Sequence, residues 1–535
     1  MNASLAQRLP KGNTSFASIR RRNLIYVDKT DLIAEIAGFQ QSFFLARPRR
    51  FGKSLLLSTF AELFANGVGN FSGLKIDGQW NDRQYAVARL DFSQAKNFIS
   101  WDDFEAKVCR VIRDGFCDLG FDCESEKVSQ LCEALNLWLR QQPEGSIVLL
   151  IDEYDAPLTA MLHQRELFLK VRTTLADFYS VVKTREPAWR FFLLTGITKF
   201  IKTGIFSELN ICTDLSSIPK YGSLLGYTDD ELRIYFRQHV SAAAKTLGST
   251  EEELFAQLKA SYDGYCFEPT IRHHVYSPWS VLSFLSNPEL GFKNFWAESA
   301  GQPSVLLSYF KEHSLRNPAA YKKEIALSTL QLEASQDIDN ICEEALLAQS
   351  GYLTLDRVEG GTAFLKYPNK EVAETMAYLY SQQLLKGKTL EGIGAGGIGK
   401  LFLSSNPEPI IRDFNRMLAS LDYLNYSVMN EATLRSFIQV MLDGAQLDCR
   451  VESHNAFGRS DLEVDAGGRH WVFEFKVLPK NASASESTSR LLEEASKQLL
   501  DRQYGIAFAN RRELIRIAAV FSQSARQITA WKQVA

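Results

Sequence analysis

The chain has 535 residues, too many for one compact core; at about 150 residues per domain it has the length of three or four domains. Hydrophobic residues make up 45% and charged residues 23%, which excludes wholesale disorder. With 60 Lys and Arg against 63 Asp and Glu the net charge is −3, so any nucleic-acid contact has to come from local basic patches. The longest apolar runs, around Ile147–Ile151 and Phe191–Leu194, are far shorter than the roughly 18 residues that cross a bilayer. Met1–Gly12 lacks the apolar stretch of a secretion signal. The eight cysteines are scattered, with no Cys-x-x-Cys pair. Together these features predict a cytoplasmic protein with reduced core thiols, no zinc site and no membrane association.

Ser42–Ala46 reads as a short apolar strand, followed by a helix with Leu56, Phe60, Leu63 and Phe64 on one face. Ala86–Phe92 reads as a second strand. Phe104, Val108, Val111 and Ile112 repeat at helical spacing, as do Leu131, Leu135, Trp138 and Leu139. Ser146–Ile151 and Arg190–Thr195 are continuous apolar strands of the kind buried on both faces. This alternation predicts a parallel α/β sheet covered by helices over 1–226. From Tyr227 to 384 the pattern is helical and aromatic-rich and predicts a helical middle region. Residues 385–409 carry six glycines between Gly387 and Gly399, then Ser-Ser-Asn-Pro-Glu-Pro, and predict a flexible joint. Residues 410–535 begin with helical periodicity and end in strands. The last 35 residues hold six Lys and Arg against two Asp and Glu.

Arg47-Pro48-Arg49-Arg50-Phe51-Gly52-Lys53-Ser54 follows a predicted strand and opens a predicted helix, the setting a phosphate loop requires. Helix-start amides make an anion site, Lys53 can reach the β- and γ-phosphates, and Ser54 can ligate Mg²⁺. The first glycine of the general G-x-x-x-x-G-K-[ST] pattern is Arg47 here. The apolar strand Ile147–Ile151 runs into Asp152 and Glu153, which predicts Asp152 at the metal and Glu153 polarising the attacking water; a solvated strand-end turn is the competing reading. Arg49 and Arg50 are phosphate clamps, charge-neutralising fingers, or part of a partner-facing basic run with Arg20–Arg22. The next strand ends at Thr195-Gly196, with Thr198 and Lys199 just after; these residues could sense the γ-phosphate, and a polar loop is the competing reading. Gly394-Ala-Gly396-Gly397-Ile-Gly399 fits a dinucleotide fingerprint by letter, but no strand precedes it, and linker is the better reading.

The second constellation is Gly458-Arg459-Ser460-Asp461 and Glu474-Phe475-Lys476. Gly467-Gly468 suits a two-residue type I′ hairpin turn. Pairing about it sets Ala466 opposite Arg469, Leu462 opposite Phe473, Val464 opposite Trp471 and Asp461 opposite Glu474. One face is then apolar, and the other carries two carboxylates and Lys476. Facing carboxylates repel, so a divalent cation between them, held by Asp461 and Glu474, is the natural explanation; a solvated ribbon with an ordinary salt bridge is the alternative. Downstream, Ser485–Arg502 reads as a helix carrying Gln498, and Tyr504–Ala509 as a strand. Glu431 at a helix start could add another carboxylate or be a Glu favoured there by the helix dipole; Glu452 and His454 are weaker ligand candidates, His454 reading better as a polar surface residue.

With both sites in view the chain resembles AAA-ATPase-like proteins that carry a C-terminal PD-(D/E)XK nuclease domain. The resemblance rests on Phe16…Tyr26-Val-Asp28-Lys29-Thr30, on Arg47–Ser54 as the family's arginine-rich Walker A, and on Leu150-Ile-Asp152-Glu153-Tyr154-Asp155-Ala-Pro157 as its Walker B. Tyr262-Asp-Gly-Tyr265, Tyr276-Ser-Pro278-Trp279-Ser280, Gly351-Tyr-Leu353-Thr354 and Tyr367-Pro-Asn-Lys-Glu371-Val372 match its middle. Gly458-Arg-Ser-Asp461, Glu474-Phe-Lys476 and Gln498…Tyr504 match its nuclease core. The resemblance implies a P-loop NTPase sheet, a helical middle region and a restriction-endonuclease-like α/β domain. It implies ATP bound by Arg49, Arg50, Gly52, Lys53, Ser54 and Asp152, with catalysis by Glu153 there and by Asp461, Glu474, Lys476 and Gln498 at the nuclease. Mg²⁺, with Mn²⁺ as a substitute at the nuclease, and DNA are the implied metal and partner. Oligomeric state stays open, a homo-oligomer being one arrangement that fits. An inactive nuclease fold serving as a nucleotide-switched binding module remains the alternative.

Overall fold

The computed structural model describes the chain except residues 1–6, 201–210, 300–308, 310–320, 322–323, 334–341, 386–387, 389, 396, 446, 448, 456–457, 482–483, 510–511 and 535, and except the side chains of 298–299, 452, 454–455 and 484–486. Gly396 and the side chains of Glu452 and His454 therefore lie outside the described residues. Two compact units divide the chain. One comprises Met1–His313 with Glu324–Val372, and the other Ala373–Ala535 with Ser314–Lys323.

In the first unit five strands form a parallel sheet: β1 (Ser42–Ala46), β2 (Ala86–Asp91), β3 (Ile147–Asp152), β4 (Trp189–Gly196) and β5 (Thr213–Asp214), in the order β2-β3-β4-β1-β5. β1 is buried throughout, and β3 and β4 are nearly so, because helices cover the sheet and parallel strands leave no solvated face. Leu56, Phe60, Leu63 and Phe64 line the buried side of the helix Lys53–Asn66, and Phe60 and Phe64 each lie 5.0 Å from the Phe191 ring of β4.

The middle region is helical, with Asp229–Tyr235, Arg237–Leu247, Glu251–Tyr262 and Pro278–Ser286 packed around Phe236, Tyr262, Tyr276 and Phe284. It also holds a small antiparallel sheet the helical pattern did not announce: β6 (Ile325–Ser328), β7 (Thr354–Glu359) and β8 (Thr362–Lys366), in the order β6-β8-β7. Its β7–β8 turn is Gly360-Gly361, with φ of +54° and +81°. Two of the middle motifs meet here. Gly264 has no room for a Cβ, which would lie 2.1 Å from the Pro368 carbonyl oxygen, and Asn369 donates to the Asp263 carbonyl at 2.8 Å.

In the second unit β9 (Cys449–Asn455), β10 (Gly458–Ala466), β11 (Arg469–Leu478), β12 (Glu513–Ser522) and β13 (Gln527–Val534) form a mixed sheet ordered β13-β12-β11-β10-β9. The β10–β11 hairpin pairs Ala466 with Arg469, Val464 with Trp471 and Leu462 with Phe473, as the turn arithmetic requires. Gly467 and Gly468 both take the positive φ (+54° and +79°) of a type I′ turn. One expectation fails. Residues 504–509 are not a strand: Gly505 at φ +77° turns the chain, and Ile506–Phe508 form a 3-10 turn. The strand that follows is β12, and it runs parallel to β11. The stretch expected to be a flexible joint carries a short helix, Ile398–Leu401, and buries Leu390, Ala395, Ile398 and Phe402. All eight cysteines are free thiols. Among the described residues no helix is long and apolar enough to cross a membrane.

Candidate functional sites

β1 ends at Ala46, and the loop 47–52 leads into the helix that begins at Lys53. Gly52 at φ +101° makes that entry, a conformation a side chain would strain. Arg47 stands where a glycine is usual because its side chain turns into the protein. It is 1% exposed, donates to the carbonyls of Ala46 at 2.9 Å and Ser216 at 2.8 Å, and stacks on the Phe267 ring at 4.4 Å. Buried Lys53 donates to the loop carbonyls of Arg47 (2.8 Å) and Pro48 (3.0 Å), and burial lowers the pKa of its ammonium. Its Nζ is thereby held against the loop that leads into the helix start, where backbone amides favour an anion. Arg50, at φ +69°, lays its guanidinium over the Trp279 ring at 4.3 Å. A cavity of about 500 Å³ opens over this loop, with Arg49, Arg50, Lys53, Ser54 and Glu153 at its polar end and Trp279 on its apolar wall.

The tip of β3 meets the same helix start. Ser54 Oγ donates to Asp152 Oδ2 at 2.5 Å. The other carboxylate oxygen accepts from Thr195 Oγ1 of β4 at 2.7 Å, so the strand lying between β3 and β1 fixes the Asp152 side chain. A hydroxyl and a carboxylate face to face are the donors a hard divalent cation takes alongside phosphate oxygens. Glu153 sits in left-handed backbone (φ +48°). Burial raises its carboxyl pKa against the lowering pull of Lys53 and Arg49, which suits a proton acceptor. Of the two readings of Thr198 and Lys199, their contacts favour the polar loop. Thr198 Oγ1 donates to Asp155 Oδ2 at 2.6 Å, and Lys199 Nζ is paired with Asp214 at 2.9 Å; both are committed to neighbouring carboxylates.

In the second unit β11 is the central strand, flanked by β10 and β12, so the pair of carboxylates lies inside a sheet and not on a solvated ribbon. Trp471, Phe473 and Phe475 stack along one face. On the other, Val472 packs with Ala495 and Leu499 of the helix Ala484–Asp501, and Glu474 and Lys476 continue that row. Glu474 is 2% exposed. Its Oε1 lies 3.4 Å from Lys476 Nζ, while its buried Oε2 has no hydrogen-bond partner among the described residues. Desolvation first, and Asp461 second, push its pKa up to about 8. Lys476 donates to Gln498 Oε1 at 3.0 Å, and Gln498 Nε2 to the Tyr504 hydroxyl at 3.4 Å. Asp461 Oδ2 accepts from the Phe475 amide at 2.8 Å. A buried carboxylate oxygen left without a donor, beside a second carboxylate, fits a divalent cation.

Residues 10–206 match the family model described as Predicted AAA-ATPase, and residues 429–531 match the model of the PD-(D/E)XK nuclease superfamily. The chain joins an AAA-ATPase-like domain to a PD-(D/E)XK nuclease-superfamily domain. It is also similar, at 29% identity over 536 residues and with 98% of both chains covered, to a protein of Azotobacter chroococcum mcd 1 described as an uncharacterised protein in the vnfD 5′ region.

In the AAA-ATPase-like domain the two halves of the expected nucleotide site, the loop Arg47–Ser54 and Asp152-Glu153, meet through the Ser54–Asp152 contact. Sequence reasoning missed that Thr195 grips Asp152 and that Arg50 stacks on Trp279; both contacts link residues far apart in the chain. In the nuclease-superfamily domain Glu474, Lys476 and Gln498 are linked by contacts through Lys476, and Asp461 lies beside Glu474. Sequence reasoning missed Arg435, in the helix Glu431–Gly444, whose Nη1 is 2.7 Å from Asp461 Oδ1. It sits one turn beyond Glu431, whose Oε1 accepts from the Val477 amide at 3.2 Å. A cation among the apolar residues Leu434, Phe437, Ile438 and Met441, with Gln439 the other buried polar residue of the helix, was the available signal.

Proposed function

We propose that this protein binds and hydrolyses ATP and uses the nucleotide state to license metal-dependent cleavage of DNA phosphodiester bonds. The observation that carries the cutting half is the buried Glu474 oxygen with no donor among the described residues, set beside Asp461. At the ATP site, the loop amides and Lys53 bind the β- and γ-phosphates, and Arg49 or Arg50 neutralises charge that develops on transfer. Ser54 and Asp152 would hold Mg²⁺, and Glu153 takes the proton of the attacking water. At the nuclease site Asp461 and Glu474 would hold Mg²⁺, or Mn²⁺ in its place. The ion supplies charge to activate water and to stabilise the leaving oxygen. Lys476, oriented by Gln498, stabilises the negative charge that builds on the phosphate.

The same reading divides the chain into an ATPase domain (1–226), a middle connector (227–384), a joint (385–409) and a nuclease domain (410–535). It sets the protein in the cytoplasm, in defence against foreign DNA, with a homo-oligomer as the form in which an arginine could act on a neighbour's nucleotide. The experiment is a Mg²⁺ and Mn²⁺ titration of cleavage on single-stranded, duplex and modified DNA, with and without ATP. Lys53→Ala should abolish ATP hydrolysis. No cleavage of any substrate at any metal concentration would leave the second reading, a nucleotide-switched binding module. That reading is favoured by the engagement of both Asp461 oxygens, by Arg435 and the Phe475 amide.

A further inference from the structure

The nuclease site already holds cations of its own beside its carboxyl groups. Two carboxylates, Asp461 and Glu474, face two cations, Arg435 and Lys476. Arg435 and the Asp461 side chain are both largely buried, so their 2.7 Å contact is a charge-assisted hydrogen bond shielded from water. A divalent ion added to Asp461 and Glu474 would leave excess positive charge in a desolvated place, which is costly unless an anion enters with it. Protein donors are also few: among the described residues no group of three His, Cys, Asp or Glu is arranged to hold a metal. Oxygens from elsewhere have to complete the shell, and phosphate oxygens commonly do so for Mg²⁺. A phosphodiester brings both what the charge balance and what the shell lack. Its two non-bridging oxygens match the fork of a guanidinium.

We infer that Arg435 is a placeholder cation: it occupies Asp461 in the metal-free site and moves to the scissile phosphate when nucleic acid and a divalent ion arrive together. Metal loading is thereby coupled to substrate binding, and the free protein stays in an unloaded state. Without metal Arg435 acts on Asp461; with metal and nucleic acid present it contacts the phosphate. The inference rests on the metal-dependent phosphodiesterase reading above.

The test is Mn²⁺ binding to the full chain without nucleotide, followed by electron paramagnetic resonance, with and without a short phosphorothioate duplex. Glu474→Gln measured in parallel defines the binding that belongs to this site. Duplex should tighten Glu474-dependent Mn²⁺ binding about tenfold or more, the scale of one hydrogen bond to a charged group. Arg435→Met should bind Mn²⁺ about tenfold more tightly without DNA and gain less than about twofold from DNA, whereas Arg435→Lys, which keeps the charge, should retain the dependence on DNA. Glu474-dependent binding that is indifferent to duplex in the unsubstituted protein would overturn the inference, even if Arg435→Met did not fold. So would Arg435→Met affinity equal to or weaker than that of the unsubstituted protein, or Arg435→Lys behaving like Arg435→Met. If Glu474→Gln binds as much Mn²⁺ as the unsubstituted protein, the site reading fails with it, a different result from failure of the placeholder alone.

Discussion

Raising the pH from 6 to 8 should tighten divalent-cation binding at the Asp461–Glu474 pair by about fifty-fold. Glu474 is buried next to a second carboxylate, and its pKa is pushed up to about 8 by desolvation first and by Asp461 second. A ligand carboxyl has to lose its proton before it binds a metal. Apparent affinity therefore follows the ionised fraction: about 1% at pH 6, 9% at pH 7 and half at pH 8, with less than about a twofold gain above that. The folded, metal-free protein keeps a proton that the unfolded chain releases at the ordinary carboxyl value. Its stability should accordingly fall as pH rises from that value toward 8 and level off beyond. The assay is Mn²⁺ titration at half-unit pH steps, with melting of the metal-free protein followed in the same buffers. Asp461→Asn removes the repulsion and should move the midpoint down, though not to the ordinary value, since burial is the larger cause. Glu474→Gln should abolish the dependence. A flat affinity between pH 6 and 8 in the unsubstituted protein, or the same slope in Glu474→Gln, would refute the reasoning.

Thr195→Val keeps the shape of a fully buried side chain but deletes the 2.7 Å hydrogen bond to Asp152; ATP turnover should fall about tenfold or more, with a smaller change in ATP affinity measured by nucleotide titration. Gly196→Ala would set a Cβ 2.4 Å from the Tyr154 ring and 2.8 Å from Asp155 Oδ1. A loss of about 1–3 kcal/mol in denaturant unfolding is expected, and unchanged stability would contradict the packing described. Chelation with EDTA should stop DNA cleavage, and Mg²⁺ or Mn²⁺ should restore it.

Much of this was legible in the sequence where the signal is local. The β10–β11 register follows from two glycines and a period of two, because a type I′ turn leaves one way to pair the strands. The same signal at Gly360-Gly361 went unread, since the segments around it are short and sit among helices. The phosphate loop was legible from strand, glycine and lysine in order. What the sequence did not carry is which strand becomes central. β11 looked like half of a two-faced hairpin, yet β12 covers its other edge and helices cover both faces, and this is what buries Glu474. The strand expected at 504–509 failed because an apolar run does not reveal that Gly505 takes positive φ. Arg435 on Asp461 and Thr195 on Asp152 join residues 26 and 43 positions apart, and such pairs depend on tertiary packing that local pattern does not encode.

The central claim is that Asp461 and Glu474 form a metal-dependent cutting site in a protein that separately hydrolyses ATP. Plasmid nicking and ATP hydrolysis measured on the same preparations of the unsubstituted chain and Asp461→Ala test it most directly. The account predicts Mg²⁺- or Mn²⁺-dependent nicking by the former, none by Asp461→Ala, and ATP hydrolysis by both. Undiminished nicking by Asp461→Ala would contradict it.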